Sequence, residues 1–122
     1  MEKEKRAVIR IKNLALRTII GTTEYERRDK QDVIINVALE VDASRAVETD
    51  DIANALNYRT LTKRIIEEVE GSDYFLLEKL ADSILGIVMG MEDVLWARVR
   101  VDKPQALRFA ESVSVEMRAE RK

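Results

Sequence analysis

The chain has no histidine, no cysteine, one proline and four glycines in 122 residues. Without cysteine there is no disulfide, no thiolate nucleophile and no zinc-finger ligand set. Without histidine the usual neutral-pH base is missing and a Ser-His-Asp triad is impossible. Proton-transfer chemistry therefore falls to lysine, tyrosine and carboxylates. Aromatic residues make up only 5%, too few for a base-stacking surface. The 21 basic and 23 acidic residues nearly cancel, so there is no basic excess to hold nucleic acid. No apolar run reaches membrane-spanning length, and Met1–Arg6 is charged where a signal peptide would need an apolar stretch. No Walker-type glycine loop, G-x-G-x-x-G fingerprint or G-x-S-x-G elbow is present. No repeat, linker or low-complexity segment breaks the chain. The expectation is one domain over residues 1–122, with 1–6 flexible, in the cytoplasm, without a nucleic-acid or membrane partner.

What is present is alternation. From Ala7 to about Ile20, Ile9 and Ile11 alternate with Arg10 and Lys12. The apolar phase then flips to Leu14 and Leu16, which predicts a bulge or bend near Asn13. Gly21 opens a polar loop, Thr22 to Lys30, and Val33, Ile35, Val37, Leu39 and Val41 mark a second strand. Thr49-Asp50-Asp51 reads as the capped start of a helix running to about Glu70, with Ala55, Tyr58, Leu61, Ile65 and Val69 on its apolar stripe and Gly71 as its stop. Ser72-Asp73 reads as the cap of a second helix, with Leu77, Leu80, Ile84, Ile87, Val88 and Met91 inward. Leu95, Ala97, Val99 and Val101 mark a third strand, and Val113, Val115 and Met117 a fourth. The order strand, strand, helix, helix, strand, strand predicts an α+β layer, an antiparallel sheet of two hairpins with both helices on one face. Ile34 and Trp96 fall on the other face. Open strand edges and a small core predict an oligomer that pairs its edges or closes its sheets.

Four side chains stand out as candidates for chemistry, each with an ordinary alternative. Lys103 precedes the only proline, Pro104, and is either a positioned acid/base or a solvated charge in a stiff turn. Tyr58 lies on an apolar stripe, where a half-buried core aromatic is the default. Glu78 borders such a stripe, where a surface helix charge is the default. Glu26 lies in the polar loop, where acids are common. Carboxylate-only metal sites are conceivable around Glu24, Glu26 and Asp29, or Glu48, Asp50 and Asp51; the second group is better explained as a helix start. Arg17, Arg59, Lys63 and Arg108 either form surface ion pairs or hold a multiply charged anion such as a triphosphate.

These residues also occur within an ordered set of motifs: Ile11-Lys12-Asn13-Leu14 through Arg17-Thr18 to Gly21, then Glu26; Gln31-Asp32; Ala55-Leu56-Asn57-Tyr58-Arg59-Thr60; Leu76-Leu77-Glu78-Lys79-Leu80; Asp102-Lys103-Pro104; and Ala106-Leu107-Arg108-Phe109-Ala110-Glu111-Ser112. In that order, from about Val8 to Met117, the chain resembles the dihydroneopterin aldolase and dihydroneopterin triphosphate epimerase family. The resemblance implies the tunnelling fold (T-fold), in which four subunits close their sheets into a barrel, singly or as two stacked rings, giving a tetramer or octamer. It places active sites at subunit interfaces and requires no metal and no cofactor. Glu78, with backbone near Leu77, matches the anchor of the pterin's amino-pyrimidine edge. Tyr58 matches a tyrosine that stacks on the pterin or protonates at it from a neighbouring subunit, a catalytic and substrate-binding role. Glu26 matches the group that orients the side-chain hydroxyls, and Lys103 the general acid/base.

The implied reaction is a retro-aldol cleavage on the C6 side chain of a 7,8-dihydropterin, whose ring C=N accepts the electrons. Re-addition to the other face of the aldehyde inverts C2′ and is epimerisation. Release of glycolaldehyde leaves 6-hydroxymethyl-7,8-dihydropterin and is the aldolase outcome of folate biosynthesis. The Asn57–Thr60 and Ala106–Ser112 segments resemble the epimerase branch, and Gln105 stands where aldolases more often have glycine. Lys103-Pro104 is typical of aldolases without being confined to them. A non-catalytic ligand-binding α+β module is the remaining alternative.

Overall fold

The computed structural model of the chain describes residues 4–122. Strand β1 (Arg6–Thr18) is followed by a one-turn helix α1 (Glu24–Arg28) and strand β2 (Gln31–Asp42). Short helix α2 (Ser44–Thr49) and a 3₁₀ turn (Ile52–Asn54) lead to helices α3 (Tyr58–Glu70) and α4 (Leu77–Met89), then strands β3 (Val94–Pro104) and β4 (Ser112–Glu120). All strand pairs are antiparallel, in the order β1-β2-β3-β4, which leaves β1 and β4 as edges. This is the expected α+β layer of a tunnelling fold, with three short helical segments added to the strand, strand, helix, helix, strand, strand order.

The core forms where two periodicities meet. Alternate residues of β2 (Val33, Ile35, Val37, Leu39, Val41) face Leu61, Ile65 and Val69 of α3 and Leu80, Ile84 and Val88 of α4. Each such side chain, fully buried, contributes about 1.5–3 kcal/mol of transfer free energy. The slip near Asn13 is real: the β1–β2 register shifts between Ile11 and Leu14, and Asn13 takes a φ of 53°. Its backbone N–H donates to Asn36 Oδ1 at 3.0 Å, and Asn36 Nδ2 donates to Asn13 Oδ1 at 3.2 Å, so the bulge is pinned by paired amides.

Several expected boundaries move. The helix read from Thr49 begins instead at Tyr58, because the Asn57 side chain accepts the N–H groups of Arg59 and Thr60. Asp50 is left-handed (φ 52°) and ends α2, while Asp51 caps the 3₁₀ turn through Ala53 N–H. Tyr58 is consequently an exposed first-turn residue and not part of the apolar stripe, and Ala55 is extended. The second helix begins at Leu77, not after Ser72-Asp73, since Ser72 Oγ donates to Val69 O and its carbonyl accepts from Thr18 Oγ1. A bulge between Glu40 and Val41 brings Val94, in place of Leu95, into the core. The polar loop after Gly21 contains α1. Arg6, expected flexible, pairs with Asp42 in β1 and bonds Glu40 at 3.2 Å; residues 1–3 lie outside the described residues.

Candidate functional site

Glu26 and Lys103, 77 positions apart, meet at one end of the sheet. Thr23 caps α1 by accepting Glu26 N–H at 3.1 Å, and the Glu26 carboxylate turns back to accept Thr22 N–H at 3.2 Å and Thr23 N–H at 3.4 Å. Gln31, first in β2, donates its amide to Ile20 O at 2.6 Å and to Glu26 Oε2 at 3.3 Å. Gly21, at φ +127°, lies against that carboxyl: a Cβ there would be 2.3 Å from Glu26 Cδ. Lys103 Nζ donates to Glu26 Oε2 at 2.5 Å, with the two side chains only 13% and 20% exposed.

Position and charge are both set by this network. Pro104 restricts Lys103 to extended backbone as β3 ends opposite Ser112. Asp102, the residue before Lys103, is fixed by Arg100 Nε at 2.9 Å and Ser112 Oγ at 2.7 Å. The Lys103 hydrogen bond, then those of Thr23 and Gln31, outweighs burial and holds the Glu26 carboxyl at about 2 against an ordinary 4.5. The arrangement pairs a proton-donating ammonium with a carboxylate that stays ionised, in a partly dehydrated corner.

Arg27, next to Glu26, ties this corner to α4. Its guanidinium donates to Tyr74 O at 3.1 Å and Asp73 O at 2.7 Å and lies 4.1 Å from the Phe75 ring centroid. The segment leading into Leu77 and Glu78 is thereby anchored beside α1. Leu77 is buried, Glu78 is an exposed acid in the first turn, and no side chain caps the N–H groups of that turn.

Tyr58 lies elsewhere. It lines a depression with Ala7, Val41 and Asp42, at the end of the sheet where β1 begins and β2 finishes. Glu26 and Lys103 lie at the other end, near the Thr18–Gln31 pair, on the order of 30 Å away along the strands. The basic residues divide in the same way. Arg59 and Lys63 share an open groove with Tyr58. Arg17 bonds Lys30 O at 2.9 Å and lies 3.7 Å from Asp32, and Arg108 rests 5.4 Å from the Phe109 ring in the β3–β4 connection. One protomer thus brings Glu26 and Lys103 together, but does not bring Tyr58, Arg59 and Lys63 to them.

Among the described residues, no three acids converge to hold a metal; Glu26 is turned to Lys103 and Asp51 to its own turn. The supporting residues Thr23, Gln31, Gly21 and Arg27 were not singled out as site residues from the sequence. The Thr23-x-x-Glu26 capping box was legible there; the contacts of Gln31 and Arg27 follow from chain folding and had no local signal.

The family model described as "FolB: Dihydroneopterin aldolase" matches residues 9–118. A Pseudomonas aeruginosa protein named dihydroneopterin triphosphate 2′-epimerase is 52% identical over 115 residues, 94% of each chain. An Escherichia coli dihydroneopterin aldolase is 26% identical over 108 residues, 88% of each chain. The crystal structure of E. coli dihydroneopterin aldolase in complex with neopterin superposes with a TM-score of 0.88 at 25% identity, covering 93% of this chain and 98% of that one.

Proposed function

The chain belongs to the FolB dihydroneopterin aldolase family, and on that premise we propose that it epimerises C2′ of 7,8-dihydroneopterin triphosphate. The observation that carries this choice of branch is the contrast between 52% identity to a named epimerase and 26% to a named aldolase. The Lys103–Glu26 pair supports the chemistry.

In this reading the pterin's amino-pyrimidine edge donates two N–H bonds to the Glu78 carboxylate, beside the uncapped N–H groups near Leu77. Glu26, ionised at any neutral pH, accepts from the side-chain hydroxyls and orients them. The Lys103 ammonium gives a proton to N5 and, as the neutral amine, takes the proton of the 2′-hydroxyl; the C1′–C2′ bond breaks, its electron pair forms the C1′=C6 double bond, and the C6=N5 π pair passes to the protonated N5. The fragments are an enol-bearing dihydropterin and a two-carbon aldehyde that keeps the triphosphate. Rotation of the aldehyde, C–C bond formation on its other face and reversal of both proton transfers give the epimer. No atom is lost and no oxidant is needed.

The same proposal places Tyr58 in the site of a neighbouring subunit, in a homo-oligomer of four or eight. Its position at the far end of the sheet from Lys103, and the two open edge strands, support that assembly. Arg59 and Lys63 would arrive with Tyr58 and meet Arg17 and Arg108 around the triphosphate. The chain works as one domain in the cytoplasm, and no helix among the described residues is long and apolar enough to cross a membrane.

Incubation with 7,8-dihydroneopterin triphosphate and, separately, with 7,8-dihydroneopterin tests the reading by chromatography. A C2′ epimer as the main product is expected. Glycolaldehyde and 6-hydroxymethyl-7,8-dihydropterin as main products would assign the aldolase reaction, which shares the first half of the mechanism. No product from either would leave a binding module.

A further inference from the structure

On the sheet face away from α3 and α4, one row of cross-strand partners is unusual. Arg10 lies opposite Ala38, Ala38 opposite Arg98, and Arg98 opposite Arg118. Neighbouring strands are about 4.8 Å apart, and like charges directly opposite are destabilising. Glu116 relieves part of this, 3.6 Å from Arg98 and 2.8 Å from Arg118, while Arg100 bonds Asp102. Arg10 and Lys12 have no ion pair among the described residues.

Between these cations the sheet is hollow. The small Ala38 side chain floors a depression of about 230 Å³ walled by Arg10, Lys12, Asn36, Arg98 and Arg100, with Glu116 the only acid on its lining. The Asn36 amide is already committed to Asn13, so its orientation in the wall is fixed. Ala38 is seven residues along β2 from Gln31, which puts the hollow on the order of 20 Å from the Glu26–Lys103 pair.

We propose that this hollow is a second anion site, separate from the catalytic corner, that takes a phosphate chain of the triphosphate class. Guanidinium forks on two sides can each grip a phosphate side-on, and cations spread over neighbouring rows suit an extended polyanion better than a single round one. Glu116, the one acid on the lining, is already shared between Arg98 and Arg118, which leaves the Arg10 and Lys12 charges for an incoming anion. The inference does not rest on the epimerase reading: apart from Arg100, whose Nε also holds Asp102, it uses none of that site's residues.

Titration calorimetry of the full chain with inorganic triphosphate at low ionic strength, beside orthophosphate, tests it. In Ala38→Glu a carboxylate fills the floor and neutralises its walls, so the site is lost. Arg10→Ala/Arg98→Ala removes the walls and decides the matter should Ala38→Glu fail to fold. The expected result is a triphosphate-binding event, tighter than that of orthophosphate, that both variants weaken about tenfold or more, the scale of a lost charge-assisted hydrogen bond. That event should persist in Arg59→Ala/Lys63→Ala. Triphosphate binding no tighter than orthophosphate, binding indifferent to the hollow's variants, or loss confined to Arg59→Ala/Lys63→Ala would overturn the proposal. Product analysis judges the epimerase reading independently of all three.

Discussion

Lys103 is held by what surrounds it: a proline that fixes its backbone, an aspartate before it bonded on two sides, and a carboxylate at its ammonium. Lys103→Ala should therefore lower turnover by about 10²–10⁴-fold, the range of general acid/base catalysis, with an unchanged circular-dichroism spectrum. Wild-type turnover by that variant would remove the lysine from the mechanism. Glu26 gives a pH prediction. Its folded-state pKa is depressed, to about 2 from 4.5, so its contribution to stability is complete above about 4.5 and is lost as pH falls toward 2. Thermal melts should show wild type losing stability across that window more steeply than Glu26→Gln. Gly21→Ala should be felt twice: the positive φ costs about 1–3 kcal/mol, and the new Cβ displaces the Glu26 carboxyl from 2.3 Å away. A lower Tm together with lost turnover is expected, and a neutral effect on both would mean that Glu26 need not lie where it does.

The elements show which kinds of information are local. Strand alternation and the slip at Asn13 were legible because burial on one face imposes a period of two and a bulge breaks it visibly. Helix starts were not, because the chain has several capping residues in succession and only three-dimensional contacts decide among them. Thr49 and Asp50 close α2, Asp51 opens the 3₁₀ turn, and Asn57 is left to open α3. The same logic hid the Glu26–Lys103 contact: the capping box at Thr23 is local, but the lysine comes from another hairpin. The resemblance to a family, carried by motif order, is what named both residues together. Asn57→Ala removes the acceptor for two backbone N–H groups and should cost about 1 kcal/mol in denaturant unfolding. Because Tyr58 is the first residue of that helix, the variant should also impair turnover; a stability loss with wild-type kinetics would separate Tyr58 from catalysis.

At the scale of the whole molecule, the decisive geometry is that Tyr58 and Lys103 occupy opposite ends of one sheet. A site that uses both must take them from two protomers, which is the assembly proposed for the open β1 and β4 edges. This makes complementation a direct measurement. Tyr58→Ala and Lys103→Ala, each purified alone, should be nearly inactive, since every interface in such an oligomer lacks one partner. Dissociated together and reassembled in equal amounts, they should regain activity at about a quarter of the sites, where a native Tyr58 from one protomer meets a native Lys103 from the next. The recovered activity should scale with the product of the two mole fractions, peaking at equal mixing. If both residues instead served one site within a protomer, no mixture could contain an intact site, and activity would stay at the level of the separate variants at every ratio.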